Sequence, residues 1–152
     1  MRPGLEKEFQ GRVTWEPIFA VIENLMSGGE SVKELHPGGS AGILTKLDPR
    51  LIKADSLTGN LVGLKGKLPN VFNEFMLKQH LLKRVVGAKD ELVVEPIKKG
   101  EILMLNVNSS VSVGTVYELK KDHIKLKLKI AVCAAKTDRI TISRRFGTRW
   151  RL

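Results

Sequence analysis

At 152 residues with 42% hydrophobic side chains, the chain carries enough apolar material for one ordinary core or two small ones, which excludes a disordered tail. No apolar run approaches the roughly 20 residues that span a bilayer, Met1-Arg2-Pro3-Gly4-Leu5-Glu6 lacks a secretory apolar stretch, and the single Cys133 excludes an internal disulfide, so the expectation is a cytoplasmic protein with no membrane partner. The net charge of +10 is uneven: residues 1–70 hold 9 Lys and Arg against 8 Asp and Glu, whereas residues 71–152 hold 17 against 8, which points to a polyanionic partner for the second half or to a heavily solvated basic surface.

From the N-terminus, residues 13–15 and 17–25 read as extended, with Pro17 better suited to a bulge or an edge than to a central strand. Gly28-Gly29 and Pro37-Gly38-Gly39 are turn signals, and 57–64 is predicted to be a further strand. Residues 63–70, rich in Gly, Lys and Pro, read as a link between domains. In 75–86 the apolar residues Met76, Leu77, Leu81, Leu82, Val85 and Val86 show helical spacing, so helix and strand compete there.

The second half is dominated by a period of two. His123-Ile124-Lys125-Leu126-Lys127-Leu128-Lys129-Ile130 alternates without a break, the pattern of an antiparallel strand with one face in a core and one in water. Alternation recurs less cleanly in 102–107, 111–118 and 139–143. Gly100, Gly114 and Gly147 punctuate these segments, as do polar turns at Asn108-Ser109-Ser110 and Lys120-Lys121-Asp122. Many short strands separated by turns predict an all-β barrel or sandwich.

Catalytic chemistry has no recognisable platform, so no catalytic residue, metal ligand or cofactor site is assigned. Thr45-Lys46-Leu47-Asp48 has the form of a guanine-reading tetrapeptide. Such a motif acts beside a phosphate-cradling loop, and no G-x-x-x-x-G-K-[ST] occurs: Gly66-Lys67 is followed by Leu68. His36, His80 and His123 lie far apart and none is at ligand spacing from Cys133, which reads as a small buried hydrophobe. Ser143 and Asp138 lack a nucleophile elbow.

The stronger signal is cationic. Arg139, Arg144, Arg145, Arg149 and Arg151 fall within 13 residues, interleaved with Phe146, Gly147 and Trp150. Guanidinium groups grip phosphate bidentately and stack on bases. If no bulge intervenes, Arg145, Arg149 and Arg151 are expected on one face; the alternative for Arg144 or Arg145 is pairing with an acid across the sheet or a domain interface. In the first half, Gly38 and Gly39 allow backbone to approach a bound chain end or simply turn the chain. Arg50 and Lys53 are phosphate contacts or solvated charges.

The order and spacing of His36-Pro37-Gly38-Gly39, Leu47-Asp48-Pro49 and Lys53-Ala54-Asp55-Ser56-Leu57-Thr58-Gly59 resemble the gamma-subunit family of archaeal and eukaryotic translation initiation factor 2. The resemblance continues through Val85-Val86-Gly87, Glu95-Pro96-Ile97, Gly100-Glu101-Ile102-Leu103-Met104-Leu105-Asn106-Val107, Val132-Cys133-Ala134 and Ile142-Ser143-Arg144-Arg145 to Arg149-Trp150-Arg151-Leu152. It implies two small antiparallel β-barrels in tandem. Residues 1–69 would form an incomplete version of the family's second domain and 70–152 its third, and a strand is implied for 75–86.

The family is a GTPase that carries initiator transfer RNA to the small ribosomal subunit and docks an alpha subunit through its second domain. Its GTP and magnesium belong to a domain not represented here. The resemblance therefore implies an RNA- and alpha-subunit-binding piece without hydrolysis of its own, and places the aminoacylated end of transfer RNA near Gly38 and Gly39. Leu44 stands where the family has a glycine, Ala131 where a proline is usual and Ala135 where an acid is usual. A stand-alone basic barrel that binds RNA, or a protein-interaction module, is the alternative.

Overall fold

Alternation decides the architecture of the second half. In β9 (His123–Ala134) the side chains of Ile124, Leu126 and Leu128 are buried while Lys127 and Lys129 face water. The same division holds in β7 (Ile102–Val107), where Leu103, Leu105 and Val107 are fully buried. The computed structural model describes residues 1–36, 38–86 and 93–152. Among them, β6 (Asn70–Lys78), β7, β8 (Ser110–Leu119), β9, β10 (Ile140–Phe146) and β11 (Arg149–Arg151) form one antiparallel sheet in the order β11-β10-β7-β8-β9-β6. Its inner face gathers Leu103, Leu105, Val116, Ile124, Leu126 and Val132, with Phe72, Phe75, Ile140 and Ile142 packed against them. The buried Ser112 hydroxyl donates to the Ile130 carbonyl at 2.7 Å, so this core polar group does not go unpaired.

The first half forms smaller sheets. Strands β1 (Leu5–Phe9) and β2 (Arg12–Glu16) make a hairpin. Strands β3 (Ile22–Ser27), β4 (Glu30–Val32) and β5 (Ala41–Thr45) make a three-stranded sheet in the order β4-β3-β5. No residue of these five strands is buried. A 3-10 segment follows at Pro49–Asp55, kinked at Lys53 and Ala54, whose backbone is not helical. Gly4 adopts φ +97°, and a Cβ there would lie 1.9 Å from the Glu16 carbonyl oxygen, so only glycine lets the chain pass that backbone. The two halves meet where Ser110 Oγ donates to the Gly59 carbonyl at 2.5 Å, and within the first half Arg2 donates from Nη1 to the Pro69 carbonyl at 3.1 Å.

The all-β, antiparallel class agrees with the sequence, and the strictly alternating segment lies in β9, between β8 and the edge strand β6. Several boundaries differ. Residues 57–64 are not a strand: 56–59 are turns, and only Leu61 pairs, in an isolated bridge with Arg2. The strand expected over 75–86 begins earlier, at Asn70, and ends at Lys78, its extended part sealed against β9. Gly114 does not punctuate but lies inside β8, where a Cβ would come within 3.1 Å of Leu105 Cδ1 and 3.3 Å of Leu128 Cδ2. It is a packing glycine. Pro37 and Gly87, both part of the motifs read above, lie outside the described residues.

Candidate nucleic-acid interface

Strands β10 and β11 form a hairpin across Gly147-Thr148, with Arg144 opposite Arg151, Arg145 opposite Trp150 and Phe146 opposite Arg149. Cross-strand partners share a face and neighbours alternate. Arg144, Phe146, Arg149 and Arg151 therefore lie on one side, Arg145 and Trp150 on the other. The expectation that Arg145 joins Arg149 and Arg151 on one face is overturned, because the chain reverses at Gly147 (φ +59°) instead of running straight through.

Arg144 is not available to a phosphate. Its Nε donates to Glu101 Oε1 at 2.5 Å and its Nη2 to Glu101 Oε2 at 3.0 Å, while Nη1 donates to the Glu95 carbonyl. This is the bidentate fork–fork geometry that makes Arg–carboxylate pairs directional. The pair is largely enclosed, with the Arg144 side chain 13% exposed. The alternative reading, an acid across the sheet, is the one realised. Glu101 was not singled out by its sequence, since a lone glutamate after a turn glycine gives no sign of its partner 43 residues away.

Arg145 and Arg149 remain exposed. Arg145 Nε donates to the Gly147 carbonyl at 3.2 Å, which steadies the guanidinium beside the turn. With Trp150 as its cross-strand neighbour, Arg145 offers a charge and an aromatic surface together, the combination that binds phosphates and stacks bases. Arg151, half-buried, engages a further partner. On the outer face of β9, Lys125 pairs with Glu118 at 2.6 Å; the hydrogen bond raises the lysine pKa and lowers that of the carboxyl. Lys127 and Lys129 are exposed beside it.

Candidates in the first half sit apart from this hairpin in the chain. Gly38 and Gly39 adopt φ +111° and +77° with open space where side chains would be, so their conformation demands glycine and nothing of this chain fills the room. Arg50, in the first 3-10 turn, and Lys53, at the kink that ends it, are exposed, and the turn is capped by Asp48 Oδ1 accepting from Arg50 N at 2.9 Å. Asp48 is thus a helix cap and Lys46 pairs with Glu23 at 3.4 Å, which gives the guanine-like tetrapeptide a structural use. The two glycines precede β5 and the helix follows it.

Cys133 is buried at 1% exposure, its Sγ is 3.1 Å from the Pro69 carbonyl, and burial pushes its thiol pKa up. It is a core residue without thiolate reactivity. Asp138 joins two turns: Ala135 N–H donates to it at 2.9 Å and Asn108 Nδ2 at 2.8 Å, and these bonds lower its pKa, the backbone bond most. A depressed carboxyl pKa contributes stability above the unfolded value that is lost as pH falls through the folded one. Asp138→Asn is therefore expected to melt below the wild type at pH 7, the gap closing as the pH drops below about 4, the ordinary aspartate range. Thermal melts at stepped pH check this; a gap that persists at pH 2 would assign the loss to geometry instead of charge.

Among the described residues no helix is long and apolar enough to cross a membrane. A family model described as "Initiation factor eIF2 gamma, C terminal" matches residues 73–152. Over all 152 residues the chain is 52% identical to translation initiation factor 2 subunit gamma of Pyrococcus furiosus. It is 51% identical to the proteins of the same name from Pyrococcus horikoshii and Thermococcus onnurineus. Each alignment takes in the whole of this chain, which spans 37% of the length of these curated relatives.

Proposed function

This chain belongs to the translation initiation factor 2 gamma family, in its C-terminal part, and on that premise we propose that it supplies binding surface for initiator transfer RNA and for an alpha subunit, without hydrolysing GTP itself. The chain works in protein biosynthesis as part of a translation initiation factor. Its setting is the cytoplasm, and the small ribosomal subunit is the larger partner to which the RNA is delivered. The observation that carries the RNA reading is that Arg145 and Arg149 are both exposed, on opposite faces of one hairpin, Arg145 beside Trp150 and Arg149 beside Phe146. Gly38, Gly39, Arg50 and Lys53 extend the same reading to the first half, where open glycine backbone suits an RNA end and the two cations suit its phosphates. The 152 residues contain no phosphate-cradling loop, which supports a binding role over a hydrolytic one.

Titration of fluorescently labelled initiator transfer RNA tests the proposal. The double variant Arg145→Ala/Arg149→Ala is expected to weaken binding and to reduce the slope of log affinity against log salt by about 1.5, since each phosphate contact contributes roughly 0.7–0.9. Preference for methionylated over uncharged transfer RNA marks the use of Gly38 and Gly39. Equal affinity for both, with an unchanged salt slope in the double variant, would leave only generic basic binding. Stoichiometric binding of fluorescent GTP at micromolar concentration would overturn the non-hydrolytic reading.

A further inference from the structure

The six-stranded sheet curls far enough that the end of β6 and strand β10, four positions apart in the hydrogen-bonded order, line one cavity of about 490 Å3. Its walls are apolar, from Leu77, Leu81, Ile140, Ile142 and Phe146. Its lining also includes Lys78, His80, Lys136 and Arg139. Of two further charged groups there, Arg144 is paired with Glu101, while the Asp138 carboxylate accepts from Asn108 and the Ala135 N–H and keeps its negative charge. Lys78, Lys136 and Arg139 are exposed and have no ion-pair partner among the described residues. Three cations against the one Asp138 carboxylate leave an excess of positive charge around a small apolar hollow, which defines a ligand with an anionic end and a flat or compact apolar end.

We propose that this cavity binds an unpaired nucleotide of single-stranded RNA, the base lodged among the apolar walls and the flanking phosphates on Lys78, Lys136 and Arg139. The volume falls in the range of pockets that enclose one small group, not a long peptide groove. Phe146, His80 and Arg139 each present a planar face on which any base can stack, and the three cations hold a backbone phosphate without reading sequence. Gln79, in the same lining, carries a buried Oε1 that lacks a donor, the only such side-chain atom among the described residues. A base with an exocyclic amine supplies the kind of group this acceptor is missing. The site goes beyond the transfer RNA reading: it needs no acceptor end, and Arg145 and Trp150 lie on the opposite face of the hairpin.

Fluorescence anisotropy of the full chain with labelled hexaadenylate tests the proposal. An abasic hexamer of the same ribose-phosphate backbone is expected to bind about 10-fold more weakly, because stacking of a lodged base is lost. Lys136→Glu/Arg139→Glu is expected to weaken hexaadenylate binding about 10-fold, and Phe146→Leu, which keeps apolar volume but removes the ring, about 5-fold. Lys33→Glu, a charge change in the first half, should leave it unaltered. Equal binding of the abasic and base-containing hexamers would overturn the proposal in favour of a generic polyanion surface. Displacement of hexaadenylate by an acidic, leucine-rich peptide that binds more tightly would overturn it in favour of a protein partner. Arg145→Ala, on the face turned away from the cavity, separates the two RNA proposals: it is expected to leave hexaadenylate binding unaltered, and if transfer RNA binding fails the test above while the hexaadenylate pattern holds, only the earlier one falls.

Discussion

Leu126→Ala is expected to lower the unfolding free energy by about 3 kcal/mol, within the range of Leu→Ala losses in close-packed cores. Leu126 is fully buried at the centre of β9, opposite Phe75 of β6 and Val116 of β8, so both neighbouring strands lose a contact when its side chain is cut back. Removing it costs the transfer free energy of the lost carbons and leaves a void that the paired backbones cannot collapse to fill. Domains of this size have only about 5–15 kcal/mol of net stability, so the variant should show a clearly lower urea midpoint. Trp150, on β11 at the far edge of the same sheet, reports the transition by fluorescence. Ile102→Ala is the matched comparison: Ile102 is in a strand of the same sheet but 54% exposed, and its truncation is expected to change stability by less than about 1 kcal/mol. Equal losses at the two positions would mean that the inner face of the sheet is not the core.

The burial of Leu126 was visible in the sequence, because the strict period of two in 123–130 admits only one division into faces. The exposure of Ile102 was not, because Ile102-Leu103-Met104-Leu105 is a continuous apolar run that admits either division, whereas Cys133 in its apolar stretch could be read as core. Residues 57–64 show the opposite case. Leu57, Leu61, Val62 and Leu64 have strand-like composition, yet the backbone of that segment pairs as a strand would only where Leu61 meets Arg2, its other bonds being turns and side-chain contacts. Whether an apolar segment becomes a strand depends on a neighbour elsewhere in the chain, which composition does not name. Gly114 was misread for a related reason: in a strand a glycine marks either a break or a close approach, and only the positions of Leu105 and Leu128 choose between them.

The site was legible in its charge but not in its pairing. The density of arginines near the C-terminus was plain, but the division into faces was hidden by the turn at Gly147. The seam cavity drew no attention because Lys78 and Lys136 are 58 positions apart and come together only when β6 and β10 face each other. Basic patches on a sheet are assembled by strand order, so their members need share no local motif.

Arg144→Ala separates architecture from recognition most sharply. The truncation removes a bidentate ion pair and a bond to the Glu95 carbonyl at one stroke, leaving the Glu101 carboxylate with the Lys98 N–H at 2.9 Å. Breaking a fully buried pair costs about 3–5 kcal/mol. Here the Glu101 side chain keeps 21% exposure and water can approach it, so a loss of about 2 kcal/mol is expected. Arg144→Lys should recover only part of it, because an ammonium cannot reproduce the fork that spans both carboxylate oxygens. Transfer RNA affinity, measured at a temperature where the variant is folded, is expected to match the wild type, while Arg149→Ala lowers affinity with little change in melting. The reverse pattern, an Arg144→Ala protein of normal stability with weakened RNA binding, would mean that the pair with Glu101 opens for phosphate and that the arginine belongs to the recognition surface after all.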